Sequence, residues 1–100
     1  MIGGWSPLDL NLKEVQNLGI KVVEKYNLER NDKIKFNKVV NALQQMESKI
    51  NYRLIVKVTF KNNTEKSENI RYLDANIYQQ PETNTENINI EVLKPIKSQE

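Results

Sequence analysis

Residues 45–60 read QMESKINYRLIVKVTF, and this stretch decides the fold. Its first five residues form a mostly polar interruption. From residue 50 onward, apolar or aromatic side chains occupy every second position: Ile50, Tyr52, Leu54, Val56, Val58 and Phe60. The positions between them are mostly polar: Asn51, Arg53, Ile55, Lys57, Thr59 and Lys61. Because alternate residues of a β-strand point to opposite faces, the run predicts a strand with one face in a core and one in water.

The segment before residue 27 has a helical period. One apolar stripe recurs with the spacing of a helix face: Leu12, Val15, Leu18, Gly19, Val22, Val23 and Tyr26. Asn11 and Glu14 resemble a capping box, so we predict a helix that begins at Asn11 and ends in the asparagine-rich residues 27–32. Gly19 costs about 1 kcal/mol relative to alanine inside a helix. Its place on the stripe therefore predicts a strand that crosses the helix closely.

Three further strands are predicted around the central one. Ile34 and Phe36 alternate, whereas Val39 and Val40 break the alternation, which indicates a bulge in the first long strand. A turn at residues 62–64, a strand at 70–78, a polar segment at 79–87 and a last strand at 88–92 follow. Short turns permit only antiparallel pairing. The prediction is an α+β fold with a single N-terminal helix packed on a curved four-stranded antiparallel β-sheet, as one domain over residues 1–100.

Composition narrows the class of protein. A chain of 100 residues with a net charge of +2 fits one domain, and that charge is too weak to predict a nucleic-acid or membrane partner. The sequence contains neither cysteine nor histidine. Thiol chemistry and the commonest general base and metal ligand are thereby excluded, so we expect no enzyme activity, no metal and no cofactor. No apolar run reaches the roughly 18 residues of a membrane span, and the first five residues do not form a signal peptide.

Six short motifs occur in a characteristic order: GGWSP at 3–7, LGIKVVEKYN at 18–27, FNKVV at 36–40, NYRL at 51–54, residues 72–81, and LKPI at 93–96. Together they resemble the cystatin family, most closely its plant branch, along nearly the whole chain. The helix motif is similar to that branch's LARFAVxxHN, with Lys21 where an aromatic residue is usual. The last motif is similar to the family's closing FKPV.

The resemblance implies a binding function without chemistry. In cystatins, the N-terminal segment and two hairpin loops form a wedge that reversibly plugs the cleft of papain-like cysteine proteases. The protease-binding residues implied here are Ile2, Gly3, Gly4, Gln45, Met46, Glu47, Ser48, Lys49, Pro81 and Glu82. By this resemblance, Ile2 fills a substrate subsite, and Gly3 and Gly4 let the backbone turn past the catalytic cysteine.

The two loops depart from the family pattern. Cystatins carry QxVxG in the first loop and PW in the second, whereas this chain has QMESK and PE. Glu47, Lys49 and Glu82 therefore replace Val, Gly and Trp. A buried interface Trp is commonly worth about 2 kcal/mol or more, and an unpaired carboxylate in a desolvated cleft costs more still. A loss of about 4 kcal/mol lowers affinity roughly a thousandfold, so we expect weak or altered inhibition of papain.

Other interpretations stay open from sequence. The rival class is a non-inhibitory structural or interaction protein with the same fold, such as the cystatin-like components of phloem filaments. In that case the three loop charges are solvated residues that deter strand aggregation.

A further alternative is a cationic strip that binds polyanions. It would consist of Arg53, Lys57 and Lys61, joined by Lys33, Lys35 or Lys38. Stacking aromatics are not expected on that face, because Tyr52 and Phe60 point inward, so no nucleic-acid partner is predicted.

Three smaller expectations complete the sequence reading. Trp5 is expected to pack against the core near the helix start, because large aromatics at such positions usually anchor the terminus. The chain is expected to be a monomer, and the resemblance implies a route to a domain-swapped dimer through opening of the first loop. Self-assembly and the cellular compartment are left open.

Overall fold

A computed structural model describes residues 4–47, 49–60 and 69–93. The elements in chain order are β1 (Ser6–Pro7), α1 (Lys13–Arg30), β2 (Lys35–Met46), β3 (Ile50–Phe60), β4 (Asn69–Gln80) and β5 (Thr85–Leu93). The five strands form one sheet in the order β1-β2-β3-β4-β5, and every neighbouring pair is antiparallel. The predicted α+β class is confirmed. The turn predicted at residues 62–64 and the closing residues 94–96 lie outside the described residues.

The predicted number of four strands is wrong, because the chain start adds a fifth. Ser6 lies opposite Gln44 and Pro7 opposite Leu43, so β1 covers the edge of β2. A strand of two residues carries no period that a sequence pattern could reveal. The polar segment predicted at residues 79–87 is also shorter, since β4 extends to Gln80 and β5 begins at Thr85.

The core lies between α1 and one face of the sheet. From the helix and the turn after it, buried side chains are Val15, Val22, Val23, Tyr26 and Ile34. From β2, β3 and β4, they are Val39, Ala42, Leu54, Val56, Val58, Leu73, Ala75 and Ile77. The alternation of residues 50–60 thus correctly identified the core face of β3. Thr59, expected in water, is buried instead, because Asn37 covers it and donates from Nδ2 to its hydroxyl at 3.0 Å.

The predicted helix start is two residues too early. The N-cap is Leu12, an extended residue whose side chain makes no capping bond, and the expected Asn11–Glu14 capping box does not form. Asp9 accepts a hydrogen bond from the Asn11 amide at 2.9 Å and so ties down the approach to the helix. Leu12 is accordingly 45% exposed and does not belong to the buried stripe.

The predicted helix end is confirmed. Asn31 adopts the left-handed conformation (φ 52°), and its amide donates to the Asn27 carbonyl. Asparagine tolerates this conformation better than most residues because its side chain bonds locally. The chain thereby reverses and enters β2. The described helix, α1, is not apolar enough over its length to cross a membrane.

Two side-chain amides attach α1 to β2. Gln16 accepts from the Val39 amide at 3.0 Å and donates to the Leu10 carbonyl at 2.7 Å. Asn27 accepts from the Ile34 amide at 2.9 Å and donates to the Ile34 carbonyl at 3.1 Å. These bonds satisfy backbone groups near the interrupted ladder of β2, where an unpaired buried polar group would otherwise cost about 1–3 kcal/mol.

The bulge predicted in the first long strand is confirmed. The pairing of β2 with β3 shifts register between Phe36 and Lys38 and again between Val39 and Asn41. Such bulges bend a strand and increase its twist, so β2 curls around α1.

The predicted close crossing at Gly19 is confirmed as well. A Cβ placed on Gly19 would overlap Val39 Cγ2 and lie 2.8 Å from the Phe36 ring.

Gly19→Ala tests this crossing. The added methyl group forces Val39 and Phe36 to move, which outweighs the gain of about 1 kcal/mol in helix propensity. We expect a net loss of about 1–2 kcal/mol in the free energy of unfolding, measured by urea denaturation. The control, Asn17→Ala on the exposed side of α1, should change it by less than about 0.5 kcal/mol. A Gly19→Ala protein as stable as wild type contradicts the close-contact explanation.

Candidate functional site

Two hairpins of the described sheet have short turns, β2–β3 and β4–β5. Both turns project from the same end of the sheet. Ile50 lies opposite Met46 on β2 and opposite Gln79 on β4. The β2–β3 turn at residues 47–49 and the β4–β5 turn at residues 81–84 are therefore neighbours. Going from Pro7 back to Gly4, the chain start runs in the direction in which β2 approaches its turn. The three segments thus meet at one end of the sheet.

We call this end the loop edge. Its described members are Gly4, Gln45, Met46, Glu47, Lys49, Pro81 and Glu82. The structure brings together the described residues of all three predicted binding segments. Ile2, Gly3 and Ser48, which belong to the same predicted set, lie outside the described residues.

The first loop is shorter than its sequence suggested. Residues 45–49 were expected as a polar loop, but Gln45 and Met46 belong to β2, opposite Asn51 and Ile50. The turn closes with the Glu47 amide donating to the Lys49 carbonyl at 3.0 Å. Gln45 is partly buried, whereas Met46 is 60% exposed. The ladder thus carries the flexible apolar side chain of Met46 to the tip, beside the charged Glu47.

Lys49 links the two hairpins. Its Nζ lies 5.8 Å from the centroid of the Tyr78 ring, and a hydrogen bond to the Tyr78 hydroxyl raises the pKa of Lys49. Lys49 also lines a shallow depression of about 50 Å³ with Gln80, Pro81 and Glu82. The ammonium group is therefore positioned beside the second loop. Among the described residues, neither Glu47 nor Glu82 has an ion-pair partner.

The second loop is a compact turn. The Asn84 amide donates to the Pro81 carbonyl at 3.2 Å, and the Thr83 amide donates to the Gln80 carbonyl at 3.2 Å. Asn84 has a positive φ of 55°, again a conformation that asparagine tolerates. Pro81 fixes its own φ and contributes no amide hydrogen. Glu82 lies exposed in this turn, and no described side chain covers it.

The Lys21–Glu86 ion pair, which the sequence did not predict, lies beside the second loop and joins α1 to the start of β5. Lys21 Nζ lies 3.1 Å from Glu86 Oε2, which connects α1 to β5. Gln79 Nε2 donates to the same oxygen at 2.8 Å. A cavity of about 480 Å³ separates Lys21 from Pro81 and Asn84. In the sequence, Lys21 stands out only as a departure from an aromatic position, and no local pattern connects it with a residue 65 positions away.

Trp5 does not pack in the core as expected. It is 42% exposed and lies on the face of the sheet opposite α1, beside Arg53 and Asp74. The expectation failed because β1, which orients the chain start, was not predicted. That same outer face also carries Tyr72, 39% exposed and opposite Lys57, so the expected absence of outward aromatics is wrong too.

A lone helix cradled by an antiparallel sheet, with the chain start and two turns meeting at one edge, is the arrangement that the resemblance to cystatins implied. The Cystatin domain profile matches residues 3–95. The chain therefore belongs to the cystatin family. Cystatins are inhibitors of papain-like cysteine proteases, not enzymes.

A plant protein supports the predicted branch. The chain is similar to "Cysteine proteinase inhibitor 8" of rice, Oryza sativa subsp. japonica, with 39% identity over 57 residues. The match covers 56% of this chain and 46% of the rice protein, so the chain matches about half the length of that relative. The similarity is therefore to a plant cysteine proteinase inhibitor over part of each chain.

The ion pair behind the second loop predicts a pH dependence of stability. The hydrogen bond from Gln79 is the largest influence and lowers the pKa of Glu86 below its ordinary value of 4.5; burial opposes it, and the Lys21 and Lys25 ammonium groups lower the pKa further. A lowered carboxyl pKa stabilises the fold above pH 4.5, and this contribution is lost as the pH falls through the folded-state value. We expect Glu86→Gln to be less stable than wild type at pH 7 by less than about 1 kcal/mol, and this difference to vanish in acid.

Urea denaturation at a series of pH values measures this effect. Lys21→Met serves as a matched variant, since it removes the ammonium but keeps the hydrogen bond from Gln79. It should reduce the pH dependence without abolishing it. Parallel stability curves for wild type and Glu86→Gln across the acidic range would show that Glu86 does not contribute.

Proposed function

We propose that this chain is a reversible, non-covalent inhibitor of papain-like cysteine proteases whose loops weaken or redirect its specificity. One observation carries the proposal: the chain start and both turns meet at one edge of a rigid sheet. The proposed contact residues are those of the loop edge together with Ile2, Gly3 and Ser48. The family membership supports the general function, and the substituted loop residues support the altered specificity.

The loop edge has the rigidity that such binding requires. Each turn continues a regular antiparallel ladder, and the long strands β3 and β4 pair without a register shift from Ile50–Gln79 to Phe60–Asn69. Loops held in their bound geometry lose little conformational entropy on association. Gly4 has open space where a side chain would be, so a partner's surface can approach the chain start closely.

The chemistry of the tips argues for altered specificity. Glu47 and Glu82 are exposed carboxylates without a described ion-pair partner, and Lys49 is occupied with Tyr78. A cleft that desolvates these carboxylates without offering cations binds them poorly. A protease with basic residues at the matching positions would instead turn both into favourable contacts. Met46 supplies an adaptable apolar contact in either case.

The triple variant Glu47→Val, Lys49→Gly and Glu82→Trp tests the charge argument. It removes the two carboxylates and restores an aromatic anchor, so inhibition of papain should strengthen by about a thousandfold, corresponding to about 4 kcal/mol. The inhibition constant from a fluorogenic substrate assay measures this. The control, Lys38→Ala with Lys57→Ala, lies on the outer face away from the tips and should leave inhibition unchanged. If the triple variant inhibits papain no more strongly than wild type does, the charge argument is wrong.

A second candidate function has its own supporting observation. The outer face exposes Ile70, Tyr72 and Leu93, three large apolar side chains on β4 and β5. Such a patch suits a structural protein that assembles with other copies. A panel of papain-like proteases and sedimentation at rising protein concentration separate the two functions. Submicromolar inhibition of any protease supports the first function. No inhibition of any protease, together with assembly at rising protein concentration, supports the second.

A further inference from the structure

A groove on the outer face of the sheet lies apart from the loop edge. Its volume is about 530 Å³, and its polar and aromatic lining comprises Trp5, Arg53, Asp74, Asn76, Asn89 and Glu91. Two rows of opposed residues form its floor. Arg53, Asn76 and Asn89 lie in register across β3, β4 and β5, and Asp74 and Glu91 lie opposite each other in the next row. Trp5 borders the groove from the chain start.

The charges in the groove nearly cancel. Arg53 Nη2 lies 3.0 Å from Asp74 Oδ2, and Arg53 Nε lies 3.4 Å from Asp74 Oδ1, so the pair is bidentate. Glu91 lies directly opposite Asp74 and is the remaining carboxylate among the described lining residues. One cation and two anions leave the groove slightly negative, so it disfavours an anionic ligand. An uncharged ligand meets no such repulsion.

Two asparagine side chains in the groove make no hydrogen bond to a described residue. The side-chain amides of Asn76 and Asn89 lie opposite each other on adjacent strands, and neither bonds to a described residue. Each amide offers two donors and one acceptor, and the Glu91 carboxylate accepts only. These groups match vicinal hydroxyls, which both donate and accept. The exposed indole of Trp5 adds an apolar platform beside them.

We propose that this groove binds a neutral oligosaccharide. The apolar C–H face of one sugar ring packs on the Trp5 indole, while ring hydroxyls bond to Asn76, Asn89 and Glu91. A few placed polar groups beside an aromatic surface are typical of sites for small polar ligands. Because the groove lies on the outer face, this binding is independent of the proposed protease inhibition.

The lone Trp of the chain makes the proposal directly measurable. Intrinsic tryptophan fluorescence reports on Trp5 alone and should change saturably when a fitting sugar is added. The probes are cellohexaose, xylohexaose and chitohexaose, each titrated at low and high salt. We expect binding of at least one, with an affinity that added salt does not change, because the ligand carries no charge.

Variants locate the binding site. Trp5→Ala should lower the affinity measured by calorimetry by about tenfold or more, and Trp5→Phe should restore part of it. Asn89→Ala should also weaken binding severalfold. Its matched control is Asn87→Ala, which removes an exposed asparagine two positions along β5, opposite Tyr78 and outside the groove. Asn87→Ala should bind as wild type does, and Asn89→Ala should inhibit proteases as wild type does.

Three results would overturn the proposal. The first is that none of the three sugars changes the fluorescence or gives a heat of binding. The second is that Asn87→Ala and Asn89→Ala weaken binding equally. The third is that the three sugars fail to bind while heparin binds in a salt-dependent manner, which would identify the outer face as a polyanion surface instead.

Discussion

The close contact between α1 and the bulged strand β2 is the constraint on which the rest of the structure depends. At Gly19 the missing side chain lets Val39 and Phe36 pack directly against the helix backbone. Three residues earlier, Gln16 bonds to the Val39 backbone amide beside the interrupted ladder. Because the strand can bend there without leaving this amide unpaired, β2 curls around the helix and the strands paired to it follow. A flat sheet would leave Val22 and Tyr26 without cover on one side.

The geometry of the loop edge follows from this curl and from register. Once β2 is fixed on α1, ten register pairs fix β3 on β2, and eleven fix β4 on β3 without a shift. A slip of one residue in β3 would turn Leu54, Val56 and Val58 toward water, so the core holds the register. The two turns therefore keep their spacing even though Glu47, Lys49 and residues 81–84 are exposed and contribute nothing to the core. This separation lets the tips carry Glu47, Lys49 and Glu82 without loss of the fold.

The sequence predicted the parts of the structure that are governed by local periodicity. The inward set of β3, the buried stripe of α1, the bulge in β2 and the role of Gly19 all follow from side-chain spacing. The failures at β1 and Trp5 depended on distant contacts. The two residues of β1 have no period, and Trp5 was misplaced because its position is set by that strand. The helix start was misjudged because Asp9, rather than Asn11, bonds the backbone there. For the site, the family motifs identified the three segments, but the strand pairing is what brings them together. The Lys21–Glu86 ion pair behind the second loop joins residues separated by most of the chain, so no local pattern predicts it.

The two borders of the sheet are protected by unequal means. On one side, Pro7 in β1 has no amide hydrogen to offer, so that border cannot readily extend. On the other side, no described strand pairs with the outer side of β5, whose nine residues present backbone donors and acceptors. The exposed carboxylate of Glu91 discourages pairing with an incoming chain there, whereas Glu86 is engaged by Lys21. Of the two borders, β5 is therefore the one at which an added strand would pair with the sheet.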